Sequence, residues 1–298
     1  MISLIVATIN RVAELDRLLC SLDDQSYRDF EVIVVDQNSD NRLEPLLSAH
    51  ARLEIRHLRS ERGLSRARNA GLMVARGDII AIPDDDCWYP QQLLASVTEW
   101  FESHPGFGLM STAVRTAENK PSGPNSPATS RRCTKSNVWR GAVSTALFTR
   151  RSVSTAVGGF NENIGVGARS DYQSGEETDY VLRAFEYGFQ MWYEGSLTVY
   201  HPPLDSIERL RKTAYSFALG TGMVLRIHDY PLHQVGGHLI RSLGGAAVSL
   251  CRGDLAKARL YVVRGAGQLV GYIFGRRDLS LCNRSQYVLS RRVTPAGK

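Results

Sequence analysis

Asp78-Ile79-Ile80-Ala81-Ile82-Pro83-Asp84-Asp85-Asp86 is the stretch from which the fold is read. An apolar run of strand length stops at Pro83, and three consecutive carboxylates follow it. In α/β sheets, ligands sit beyond the carboxyl ends of the strands. Carboxylates clustered at such a place repel one another unless a cation neutralises them. Hard oxygen donors of this kind suit Mg²⁺ or Mn²⁺, with phosphate oxygens completing the shell. Taken alone, the triplet would serve equally as a solvated turn capping the next helix.

Outward from the triplet, short apolar runs alternate with helical periodicity. Strands are expected over residues 2–9, 30–35, 53–58 and 79–82, and helices over 12–21, 43–51 and 65–75. A further helix opens at Pro90, with Leu93, Leu94, Val97 and Phe101 on one face. Such alternation predicts an α/β fold, a mostly parallel central sheet with helices on both faces. Asp36 and the Asp84–Asp86 triplet then fall together at the carboxyl ends. Residues 107–114 read as another strand, 178–186 as a helix and 191–200 as a strand ending at His201. Residues 116–136 lack periodicity and are rich in Pro, Ser, Asn and Gly, so they form either a cover over the site or an inert surface loop.

The five cysteines, Cys20, Cys87, Cys133, Cys251 and Cys282, are widely spaced and form no C-x-x-C, which argues against a disulfide framework or a cysteine zinc site. The opening Met1-Ile2-Ser3-Leu4-Ile5 has no basic region before its apolar run and reads as a first strand, not a signal peptide. Charge divides the chain. Residues 1–204 carry 21 Lys and Arg against 25 Asp and Glu, a net of −4, whereas residues 205–298 carry 15 against 5, a net of +10. A uniformly basic chain would point to nucleic acid. A near-neutral body with a basic, partly apolar tail points instead to an anionic membrane surface.

Four ordered segments carry a resemblance. They are Ile5-Val6-Ala7-Thr8-Ile9-Asn10-Arg11, Glu31 to Asp40, Gly63-Leu64-Ser65-Arg66-Ala67-Arg68-Asn69-Ala70-Gly71 leading to Asp84–Asp86, and Gly158-Gly159-Phe160-Asn161-Glu162 followed by Gly175-Glu176-Glu177-Thr178-Asp179. Over residues 1–203 the chain resembles a bacterial family 2 glycosyltransferase of the GT-A fold. The resemblance implies inverting transfer of a sugar from a nucleotide-diphosphate sugar. It makes Asp84 and Asp86 the outer positions of a D-x-D motif, with Asp86 on a Mn²⁺ or Mg²⁺ ion and Asp84 on the ribose or a metal-bound water. It places Asp36 on the nucleotide base and Thr8 and Arg11 along base and phosphates. Arg68 either reaches the diphosphate, with Arg66 as competitor, or is a helix-surface arginine. Glu177 is the base that takes the acceptor proton, with Glu176, and less so Asp179, as alternatives. His201 is either a further metal ligand or structural. Gln37 and Glu177 each stand where the family more often has Asp. Trp88 and Tyr89 either stack on a sugar or pack in the core.

Residues 1–204 are therefore expected to be a catalytic GT-A unit, and 205–298 a basic helical region for the acceptor or membrane. Between residues 239 and 274, the charge-free run 242–251 is too short to span a bilayer. Its mixture of apolar residues with Arg241, Arg252, Lys257, Arg259 and Arg264 suits helices lying in the interface of an anionic leaflet. The alternatives are a helical pair packed on the body or a dimer contact. The expected activity is extension of a lipid-linked saccharide in bacterial surface polysaccharide synthesis, on the cytoplasmic face of the cell membrane. The rival readings are an inactive membrane scaffold and a sugar-phosphate nucleotidyltransferase. The second would need a Gly-rich phosphate loop after the first strand, and Ala7-Thr8-Ile9-Asn10-Arg11 is not one.

Overall fold

The computed structural model describes residues 1–122, 127–203 and 207–275, the last stretch without the side chains of 207–210. Its centre is an eight-stranded sheet: β1 (Ile2–Thr8), β2 (Phe30–Asp36), β3 (Ile55–Arg59), β4 (Ile79–Ala81), β5 (Leu109–Arg115), β6 (Arg131–Cys133), β7 (Leu147–Arg150) and β8 (Met191–Tyr200). The order across it is β3-β2-β1-β4-β7-β5-β8-β6. β3, β2, β1 and β4 are parallel neighbours, and β5 and β8 pair in parallel. β7 runs antiparallel between β4 and β5, and β6 runs antiparallel on the far edge of β8.

Period-two alternation explains how β1 builds a core on both faces. Ile2, Leu4 and Val6 join Leu15, Leu18, Leu19 and Leu22 of α1 (Ala13–Asp23) and Leu93, Leu94, Val97 and Phe101 of α4 (Leu93–Ser103). Ile5, on the opposite face, joins Ala67 of α3 (Leu64–Val74), Val153 and Val157 of α5 (Arg151–Val157), and Val181 and Ala184 of α6 (Glu176–Glu186). A short α2 (Glu44–Ala49) precedes β3. Gly71 lets α3 close on the sheet, since a Cβ there would stand 2.3 Å from Ile5 Cγ2.

From β1 the chain steps outward through β2 and β3, then returns to place β4 on the other side of β1. That reversal opens a crevice at the carboxyl ends of β1 and β4, where Ala7 bridges Asp84. The expected periodic elements are present with small shifts of boundary. The structure adds β6 inside the stretch expected to be loop, a three-residue strand too short for alternation to show. Residues 123–126 of that stretch lie outside the described residues. α6 begins at Glu176, two residues earlier than expected, so both glutamates sit in its first turn.

Three helices follow: α7 (Ile207–Ile227), α8 (Leu232–Cys251) and α9 (Leu255–Phe274). α7 and α9 meet through glycines. A Cβ on Gly222 would stand 2.2 Å from the Gln268 carbonyl oxygen, and one on Gly271 2.2 Å from that of Leu219. No described helix is long and apolar enough to cross a membrane.

Candidate active site

The triplet after β4 fans its three carboxyls in different directions. Asp85 is buried beside Arg11, whose Nη1 donates to Asp85 Oδ1 at 2.7 Å. Burial pushes the Asp85 carboxyl up to about 6 against the pull of Arg11. Thr8 Oγ1 is enclosed next to it, without a well-formed hydrogen bond of its own. Asp86 receives the same Arg11 Nη1 on Oδ2 at 2.5 Å and His201 Nε2 on Oδ1 at 3.1 Å. Burial raises the Asp86 pKa, but His201 and Arg11 outweigh it and hold the carboxyl down at about 2. Arg17 Nη2 fixes the turn by donating to the Asp86 carbonyl at 2.6 Å.

The chemistry and spacing of the donors fit a divalent cation. One ligand atom each from Asp84, Asp86 and His201 lie within 4.8 Å of one another. Two carboxylates with one imidazole suit Mn²⁺ or Mg²⁺ better than a soft thiolate-seeking ion. His201 Nδ1 donates to the Pro202 carbonyl at 2.7 Å, so Nε2, which faces Asp86, is the nitrogen a cation would take up. Burial by itself would lower the His201 pKa; the hydrogen bond and charge of Asp86 raise it.

The second half of the site hangs on one buried cation. Arg68, on α3, is 1 % exposed. Its Nη1 donates to Glu176 Oε1 at 3.0 Å and its Nη2 to Asp84 Oδ1 at 3.2 Å, while its guanidinium lies 5.4 Å from the Phe160 ring centroid. A fork-shaped cation can hold two carboxylates from different elements at fixed spacing. Arg68 thus ties the end of β4 to the start of α6. Asn69 clamps the loop before α6: its Nδ2 donates to the Phe160 carbonyl at 2.9 Å, and the Phe160 N–H donates to its Oδ1 at 2.7 Å. Arg66 pairs with Glu162 at 3.3 Å. The segments that carried the resemblance are therefore physically joined.

Glu176 and Glu177 part ways. Glu176 is buried and spent on Arg68. Glu177 is half-buried and makes no side-chain hydrogen bond to another described residue. Burial and the neighbouring negative charge of Glu176 push its carboxyl well up. Of the two, Glu177 is thus the one whose carboxyl has no committed partner and is open to an incoming hydroxyl. Gly175, at φ +94°, makes the left-handed turn that starts the helix, and a Cβ there would stand 2.8 Å from Val224.

At the end of β2, Asp36 is fully buried with both oxygens engaged. Oδ1 accepts from the Asn38 backbone N–H (2.8 Å) and side-chain amide (2.7 Å), and Oδ2 meets His57 Nε2 and Arg59 Nη1, each at 3.0 Å. His57, Arg59 and the pairing role of Asp85 escaped the sequence reading. The signal that finds the first two is register, because β3 sets His57 opposite Val34 and Arg59 opposite Asp36. Trp88 stacks on Tyr200 at 5.6 Å under Arg17, whereas Tyr89 is buried in the core.

The sequence pattern described as Glycosyl transferase family 2 matches residues 3–157. An uncharacterized glycosyltransferase of Haemophilus influenzae is 32% identical over 111 residues, 37% of this chain and 37% of that protein. The hyaluronan synthase of Pasteurella multocida is 38% identical over 90 residues, 28% of this chain and 9% of that protein. The match thus spans little more than a third of the first relative's length and less than a tenth of the second's. Among solved structures, the mannosyltransferase PcManGT of Pyrobaculum calidifontis, in complex with GDP-Man and Mn²⁺, superposes with a TM-score of 0.62 at 18% identity, over 90% of this chain and 86% of that one. TarS 1–349 of S. aureus, in complex with UDP-GlcNAc, superposes with a TM-score of 0.58 at 15% identity, over 96% and 92%. At such identities the likeness is one of fold, and that fold is the GT-A type. The chain belongs to glycosyl transferase family 2.

Proposed function

We propose that the chain is an inverting, metal-dependent transferase that moves a sugar from a nucleotide-diphosphate sugar to a hydroxyl of a lipid-linked saccharide, extending a bacterial surface polysaccharide. Residues 1–204 act as the catalytic unit and residues 205–298 as its acceptor and membrane side, on the cytoplasmic face. The observation that carries this reading is a cation-binding donor set at the β1/β4 crevice, tied through Arg68 to the first turn of α6, where Glu177 keeps an uncommitted carboxyl. The superposed mannosyltransferase and TarS, which hold GDP-Man with Mn²⁺ and UDP-GlcNAc, support the donor class.

Asp36, held by Asn38, His57 and Arg59, would recognise the base by exchanging one of these contacts for a base N–H. Thr8 and Arg11 would line the base and the diphosphate. Asp84, Asp86 and His201 would hold Mn²⁺ or Mg²⁺, which as a Lewis acid neutralises charge on the departing diphosphate. Arg68 holds Asp84 and Glu176 in register, so the metal side and the acceptor side keep a fixed distance. Glu177 accepts the proton of the acceptor hydroxyl as that oxygen attacks the sugar carbon on the face opposite the diphosphate, and the configuration inverts.

Glu177→Gln keeps the shape and removes the base. Transfer should fall by at least about a hundredfold, with nucleotide affinity little changed in the same preparation. A loss smaller than about tenfold would remove Glu177 from the role.

A further inference from the structure

Helices α8 and α9 are built inside out. Val235, Ser242, Ala246 and Ser249 of α8 face the protein, while Leu232, Ile240, Leu243 and Leu250 are 55–75% exposed. α9 repeats the arrangement, with Ala258, Gly267, Gln268 and Gly271 inward and Leu255, Val262, Ile273 and Phe274 outward. Leu232, Leu243 and Leu250 are separated by eleven and seven residues, close to three turns and two turns, so they share one line along the helix. Leu255, Val262 and Ile273 do the same on α9. A helix of a water-soluble core turns its large apolar side chains the other way.

The seams between these helices carry the opposite chemistry. Ser242 Oγ donates to Gln268 Oε1 at 3.2 Å, a Cβ on Gly245 would stand 2.7 Å from the Tyr261 ring, and Gly267 and Gly271 admit α7 at backbone distance. Small residues and hydrogen-bonding side chains at the helix contacts, with Leu, Ile and Val outside, form the pattern of helices solvated by lipid.

Charge decides between lipid and a second copy of the chain as the occupant. From residue 232 to residue 275 there are five cations, Arg241, Arg252, Lys257, Arg259 and Arg264, and one acid, Asp254. All five cations are exposed, and Asp254 is engaged in capping Lys257 N at 2.9 Å. Face-to-face pairing of two copies would set these cations against each other. An anionic leaflet offers both an apolar layer and the opposite charge.

The face is tied to the candidate base. The Tyr172 hydroxyl donates to the Phe274 carbonyl at the end of α9 (3.4 Å), Gln173 N donates to the Ser216 carbonyl (3.2 Å), and Ser174 Oγ to that of Phe217 on α7 (2.6 Å). These three residues lead directly into Gly175, Glu176 and Glu177.

We propose that the outward face of α8 and α9 docks on an anionic lipid bilayer, lying in its interface, and so turns the Glu177 side of the site toward acceptors held in the membrane. This rests on the transfer reading above for its use, but the docking itself is measured without any sugar. The full chain is sedimented with vesicles of equimolar phosphatidylglycerol and phosphatidylcholine, and with vesicles of phosphatidylcholine alone. Preferential binding to the anionic vesicles is expected. Partitioning should drop at least about tenfold in a Leu243→Glu, Leu250→Glu double variant, and similarly in Arg252→Glu, Arg259→Glu, which leaves the apolar face intact. Helical circular dichroism and nucleoside-diphosphate binding verify that each variant is folded. Absence of preferential binding by the parent chain overturns the proposal, as does a dimer in solution that the leucine substitutions dissociate. Failure of the catalytic reading would show differently, as vesicle binding without nucleotide binding or transfer.

Discussion

Arg68 has no water to solvate it and two carboxylates to answer. Removing it leaves Glu176 buried without a counter-charge, so Arg68→Ala should destabilise the chain by about 3 kcal/mol, read as a lower urea midpoint. Arg68→Lys should recover little of this, because an ammonium cannot span two carboxylates with parallel donors. A loss under about 1 kcal/mol would contradict the tie between β4 and α6. At this scale, legibility followed locality. Asp84, Asp86 and Glu177 announce themselves because acids at a strand end and at a helix start are visible along the chain. Arg68 was recognised as a candidate, but its partners are 16 and 108 residues away, and no local pattern names them. His57 was passed over for the same reason, since its contact with Asp36 exists only once β3 lies in register beside β2.

Among the elements, α6 and α7 are locked by an imidazole between acids. His228, buried at the end of α7, sets Nε2 2.9 Å from Asp179 Oδ1 and Nδ1 2.8 Å from Glu186 Oε1. Burial lowers its pKa, but the two acids outweigh this and raise it above the ordinary 6.5. The stability His228 contributes is therefore full below pH 6.5 and is lost as pH rises through the raised value. The stability gap between the parent chain and His228→Asn should be widest in mildly acidic buffer and narrow toward alkaline pH. A gap independent of pH would show that the ring acts by packing alone. The α7–α9 seam makes a second prediction. Gly271→Ala should cost about 1–3 kcal/mol, because the new methyl meets the Leu219 carbonyl, whereas Gly244→Ala, with open space around it, should be neutral or slightly stabilising. Thermal melts distinguish the two. Periodicity exposed the long helices and buried strands of this chain. It could not expose β6, whose three residues are strand because β8 lies beside them, nor the antiparallel insertion of β7. Pairing, not propensity, defines both.

For the molecule as a whole, the site lies where the strand order reverses, and everything placed there comes from distant parts of the chain: β1, the end of β2 with its β3 neighbours, the triplet after β4, α3, the start of α6 and the end of β8. The class of sheet and its ligand-bearing edge follow from the alternation of the first hundred residues. The charge contrast between residues 1–204 and 205–298 was equally plain. The orientation of α8 and α9 was not. A sequence of Leu, Gly, Ser and Arg at helical spacing is compatible with either face pointing inward, and only the contacts of Gly267 and Gly271 with α7 and of Ser242 and Gly245 with α9 decide it. The metal-dependent nucleotide site is tested by calorimetry of UDP, GDP, dTDP and CMP binding, each with and without Mn²⁺, on the parent chain and on Asp86→Asn. One nucleoside diphosphate should bind in a Mn²⁺-dependent way, and that binding should weaken by at least about tenfold in the variant. Nucleotide binding indifferent to both Mn²⁺ and Asp86, or none at all, would contradict such a site.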